Sequence, residues 1–235
     1  MTLIGVLSVF AVIGGLVLVG VLFTQRNREG LDLSLGGLLR GYLYIGSLAG
    51  VIVFAAGVAG ILAYLLAAGF GLDVIYGGPV PQPQPAIAPA PCPPNVVCPP
   101  TDIFRNVIDD RIRRQGEDLV RGATFTVFGG VFWAAHWAAR RGLGRVSEHA
   151  TGLYRAYLML GTAIFGIATI ALLPVGIYQA LSFAVIPTEP NTFYRPGAGD
   201  ALSGGLAALP LWLAYLWLVL RAIRTTAPPP ATPVV

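Results

Sequence analysis

The sequence predicts an all-α integral membrane protein with five transmembrane helices, and three observations carry that expectation. Charge is scarce: 11% of the 235 residues are charged and 55% are hydrophobic, with a mean hydropathy of +0.72. A soluble domain carries roughly a quarter charged residues, so too little charge remains here to cover a water-facing surface. The apolar residues are gathered into five runs, at about residues 3–23, 42–68, 122–139, 156–182 and 202–220, and none has an ionisable carboxylate, lysine or arginine in its middle. Between the runs, arginine-rich and arginine-poor segments alternate, which is the signature that sets orientation in a membrane.

Each run is long enough, or nearly so, to cross about 30 Å of hydrocarbon, which takes roughly 20 apolar residues. The runs are continuous rather than alternating in polarity, so they read as helices and not as barrel strands. The first lacks a basic leader and an Ala-x-Ala cleavage signal, and Thr24, Gln25 and Arg26 follow it directly, so it reads as a retained span rather than a removed signal. The third is the shortest and is fenced by Arg121 and Arg140.

Orientation follows from arginine placement. Arg26, Arg28 and Arg40 follow the first run, Arg140, Arg141, Arg145 and Arg155 the third, and Arg221 and Arg224 the fifth. Placing these on the cytoplasmic face of a prokaryotic cell membrane puts the N-terminus outside and the C-terminus inside. Glu29, Asp32 and Glu148 then lie inside, and the other acidic residues outside. The chain divides into an N-terminal helix and connector (1–37), a first hairpin (38–141), a second hairpin (142–222) and a Pro-rich tail (223–235).

The outer loop of the first hairpin has two parts. Residues 73–100 hold a proline-dense stretch that favours extended polyproline II and acts as a spacer or docking strip. Residues 101–121 read as an amphipathic helix. Phe104, Val107, Ile108, Ile112 and Leu119 form its apolar stripe, and Asp109–Arg113, Asp110–Arg114 and Glu117–Arg121 are i,i+4 pairs in the favoured order. Two settings stay open for it: the membrane or partner surface, and packing on its own bundle. Cys92 and Cys98 lie in the loop. On the outer side a bridge between them is expected, stabilising by about 2.4 kcal/mol through loop closure. A redox-active pair is the alternative, but no acid–base residue stands beside it.

The two hairpins look duplicated. Arg40-Gly-Tyr42-Leu43-Tyr-Ile-Gly46 opens the second run, and Arg155-Ala-Tyr157-Leu158-Met-Leu-Gly161 opens the fourth. Gly130-Val-Phe-Trp133-Ala-Ala-His136 ends the third, and Pro210-Leu-Trp212-Leu-Ala-Tyr215 ends the fifth. Both copies run the same way, which predicts parallel repeats in a pseudo-symmetric four-helix bundle with the first helix alongside. Residues 38–222, with this Trp-x-x-His/Tyr ending, resemble a prokaryotic family of multi-pass membrane proteins of unknown function. The copies depart from each other where Gly130 faces Pro210 and Tyr215 replaces the histidine. The resemblance implies architecture and no catalytic residue.

Arg40, Tyr42, Arg155, Tyr157, Trp133, His136, Trp212 and Tyr215 all fall near the cytoplasmic interface. Aromatic residues anchor there and arginines snorkel to headgroups. The sharper reading is two symmetric pockets for anionic lipid headgroups. His136 lacks a facing axial partner for haem, and no cofactor is expected. Gly46, Gly50, Gly57, Gly60, Gly161 and Gly166 allow close helix packing, within the bundle or against another subunit. Pro174 and Pro210 predict kinks. Nucleophile motifs, phosphate-cradling loops, zinc spacings and nucleic-acid-binding basic faces are missing from the sequence. What remains is an accessory subunit or anchor that contacts lipids and other membrane subunits. A small transporter for a lipid or apolar molecule is second, and a membrane enzyme third.

Overall fold

The computed structural model describes residues 35–79, 103–143, 152–187 and 194–224. The first predicted span, the proline-dense stretch with Cys92 and Cys98, and nearly all of the C-terminal tail lie outside these residues. Five helices and two short strands make up the rest, in the order α1 (Leu35–Phe70), α2 (Leu72–Tyr76), β1 (Gly77–Pro79), α3 (Ile103–Leu143), α4 (Gly152–Val185), β2 (Tyr194–Pro196) and α5 (Gly199–Arg224). Three of them, α1, α4 and α5, are long and apolar enough to cross a membrane.

α1 has 36 residues and so extends about 54 Å at 1.5 Å per residue, beyond its apolar run at both ends. It stops where Gly71 adopts φ 98°, a left-handed conformation that glycine takes without a Cβ clash. The Gly71 amide still donates to the Ala67 carbonyl at 3.1 Å. The short α2 then turns the chain into β1.

β1 pairs antiparallel with β2, matching Gly77 with Pro196, Gly78 with Arg195 and Pro79 with Tyr194. The Ala198 amide donates to Val74 at 2.8 Å, so the start of α5 is tied to α2. The connections after α1 and after α4 are thereby clasped at one end of the molecule. The sequence places residues 73–100 in an outer loop; α2 and this strand pair are local structure at its start. Their signal is three residues of backbone pairing, too short and too rich in Gly and Pro to read as a strand.

A second difference concerns α3. The predicted amphipathic helix 101–121 and the predicted span 122–139 fall in one continuous helix of 41 residues, Ile103–Leu143. No glycine or proline capable of breaking it stands at the junction, and Gly122 is used instead for packing. Pro174 and Pro210 likewise lie inside continuous helices.

α3 packs antiparallel along α1, and α5 packs antiparallel along α4. The two pairs meet mainly through α1 against α5. Residues Gln115, Asp118, Gly122, Gly129, Trp133, His136 and Arg140 form the α3 seam, at steps of three, four and seven. Small residues set its spacing: a Cβ on Gly60 would sit 3.0 Å from the Gly122 Cα. The main apolar core lies between α1, α4 and α5, around Leu48, Val51, Leu158, Ile164 and Phe165.

Candidate functional site

The arginine-rich end of the bundle holds a buried polar cluster built from all four long helices. α3 contributes His136 and Arg140, each 8% exposed. They are i,i+4 neighbours, so they share the seam. The adjacent pair, Trp137 and Arg141, faces outward, and the Arg141 guanidinium lies 3.6 Å over the Trp137 ring.

His136 donates from Nδ1 to the Phe132 carbonyl at 2.8 Å. Its Nε2 faces the Tyr42 hydroxyl at 3.4 Å, with the two rings 5.5 Å apart. The imidazole fits because residue 46 is glycine: a Cβ there would meet Nε2 at 2.6 Å. The α4–α5 pair has the same plan. Tyr157 and Tyr215 bond through their hydroxyls at 2.7 Å, and a Cβ on Gly161 would meet the Tyr215 Cζ at 2.8 Å. Phe165 stacks on Tyr215 at 5.7 Å.

α1 supplies the link between the two pairs. Ser47, fully buried, places Oγ 3.5 Å from the Tyr157 hydroxyl. Tyr44, also buried, lies against Tyr157 at 5.5 Å between ring centroids. The Arg140 guanidinium reaches across to this pair, 4.6 Å from the Tyr44 ring centre and 5.0 Å from that of Tyr157. Each such contact is worth about 2 kcal/mol when desolvated. The rings do not satisfy the N–H donors, and among the described residues Arg140 Nε and Nη1 are buried without a hydrogen-bond partner.

Of the residues singled out by sequence, Tyr42 and His136 are brought together, as are Tyr157 and Tyr215. Trp133 packs on Phe54 at 6.4 Å, and Trp212 sets Nε1 against Gly166. Arg40 and Arg155 are exposed, and no described contact draws either into the aromatic cluster. The arginine that lies among aromatics is Arg140, which sequence reading treats as the fence of a span. Extending the His136 face by one turn would have found it.

The opposite end holds a second charged cluster outside the apolar runs. Arg111 donates to the Gly77 carbonyl at 2.7 Å and pairs with Asp73. Tyr76 donates to Asp118 at 3.0 Å, and Arg121 pairs with the same carboxylate. Burial raises the Asp118 carboxyl above the usual aspartate range, against the pull of the Tyr76 and Arg121 hydrogen bonds. Burial, then the Asp118 charge, also raises the Tyr76 hydroxyl. On the outer side, the hydrogen bond from Arg113 lowers Asp110. Of the predicted i,i+4 pairs, Asp110–Arg114 forms at 2.8 Å. Arg113 instead serves Asp110 and Glu117, and Arg121 turns inward to Asp118.

Among the described residues, no three His, Cys, Asp or Glu side chains gather as metal ligands do. No protein-family model, curated protein or solved structure matches the chain.

Proposed function

We propose that this chain is a non-catalytic, multi-pass integral membrane protein that serves as an accessory or structural subunit of a membrane assembly. The observation that carries the reading is the uncovered side of α3. Its seam toward α1 is made of small and polar residues and Trp133. Val120, Val127 and Val131, opposite that seam, are 69%, 61% and 65% exposed, and Phe128 beside them is 70% exposed. Ile108 and Ile112, 52% and 53% exposed, form a second apolar flank among the charged residues of the lower helix, about 100° around the helix from the valines. They precede the apolar run 122–139, where lipid chains do not reach, and a flanking protein subunit accounts for their exposure.

The five-span topology, with the N-terminus outside and the C-terminus cytoplasmic, belongs to the same reading. It is supported by the clasp of β1 and β2 at one end and by the arginines at the other. The parallel-repeat reading draws support from the equivalent ring-on-glycine contacts of His136 on Gly46 and Tyr215 on Gly161. A second reading, a small transporter for a lipid or apolar molecule, is favoured by one feature, the buried hydroxyl chain from Ser47 through Tyr157 to Tyr215 between the hairpins.

Extraction from the native membrane in mild detergent, followed by native gels, separates the two. The subunit reading expects a stoichiometric complex that is lost when Phe128 and Val131 are both changed to alanine. A lone protein carrying only lipid would shift the reading to transport.

A further inference from the structure

We propose that Arg140 binds a phosphate oxyanion, and that the source of the phosphate is the headgroup of an anionic phospholipid. The site does not depend on the subunit reading; it requires only that the bundle sits in a membrane.

The physical case begins with an unmet demand. A buried charge is normally paired, and buried N–H donors normally have acceptors. Arg140 is 8% exposed, yet among the described residues its Nε and Nη1 donors have none. Tyr44 and Tyr157 take up the guanidinium through their rings. Its donors project outward in its plane, where tyrosine faces cannot accept from them. The described ion pairs all lie at the opposite end of the molecule. A guanidinium with open donors matches the oxygens of a phosphate better than any neutral group.

Depth identifies the source. Arg140 follows directly on the apolar run 122–139, so it stands at the rim of the hydrocarbon, where lipid phosphates lie. Arg40 and Arg155, exposed on α1 and α4 at the same end, add positive potential that draws anionic lipid. Carboxylates expected on the same side, Glu29, Asp32 and Glu148, lie outside the described residues, and Glu148 stands nearest to Arg140 in sequence.

The full-length protein, delipidated in mild detergent, is melted with phosphatidylglycerol micelles, with phosphatidylcholine micelles and with inorganic phosphate. With phosphatidylglycerol about a hundredfold above its dissociation constant, a rise of roughly 5–10 °C in Tm is expected. Phosphatidylcholine should give far less. Arg140→Gln should abolish the rise and Arg140→Lys reduce it; the Arg40→Gln/Arg155→Gln double variant should only weaken it, through lost positive potential, and Glu148→Gln should keep it. An undiminished rise in Arg140→Gln, or an equal rise with phosphatidylcholine, would overturn the proposal. So would a wild type that ignores phosphatidylglycerol beside a Glu148→Gln variant that responds, because Glu148 would then be the partner. A full rise with inorganic phosphate alone would keep the oxyanion site and overturn the lipid source. If Arg140→Gln does not fold, Arg140→Lys and the wild-type contrast between the two lipids decide.

Discussion

At the residue scale, position on a helix face matters more than residue type. Arg140 and Arg141 are neighbours in sequence, yet one is buried between tyrosines and the other lies on an exposed tryptophan. The difference was legible in the i,i+4 step from His136, but only once His136 is known to face the bundle. Arg40 and Arg155 match each other in sequence and still fall outside the aromatic cluster. Composition near an interface cannot distinguish a snorkelling arginine from a buried one. Tyr157 and Tyr215 are different: each was singled out by its place in the repeated motif, and the two meet at 2.7 Å. Their hydroxyl bond is expected to contribute about 0.5–1.5 kcal/mol. A double-mutant cycle of Tyr157→Phe and Tyr215→Phe, read by chemical denaturation in detergent, should return a coupling energy of that order. Strict additivity would remove the bond from the account.

At the element scale, continuous apolar runs located the three long apolar helices, each of which extends beyond its run at both ends, by two to four residues except at the start of α1, which begins seven residues earlier. In the lower half of α3 the sequence leaves open whether the stripe of Ile108, Ile112 and Leu119 faces its own bundle or an outer surface; these residues are 52%, 53% and 38% exposed. The packed face there carries Gln115 and Asp118, whose partners on α1 and α2 are a backbone carbonyl and Tyr76. These polar partners, rather than apolar burial, fix the packed face of this segment. Asp118 makes this testable. Its carboxyl pKa is raised by burial, so the group contributes stability that is complete below the unfolded pKa of about 3.9 and is lost as pH rises through the folded value. Relative to wild type, Asp118→Asn should therefore gain in Tm as pH rises through that window. A difference in Tm that does not change with pH would contradict the burial argument.

At the scale of the whole molecule, the sequence specified hairpins and ends better than it specified neighbours. Arginine asymmetry and the position of the two longer connections grouped residues 77–79 with 194–196 at one end, where β1 and β2 pair. How the hairpins pack on each other depends on side-chain fit between Tyr44, Tyr157, Ser47 and Arg140, which no periodicity encodes. The consequence is a molecule in which α3 is held chiefly by α1 and keeps a long apolar side open. The claim that this side meets another subunit can be tested in the intact membrane. A photo-activated cross-linking residue placed at Phe128, 70% exposed, should yield one discrete adduct with a different polypeptide. Adducts with lipid alone, or with a second copy of the same chain, would contradict the subunit reading.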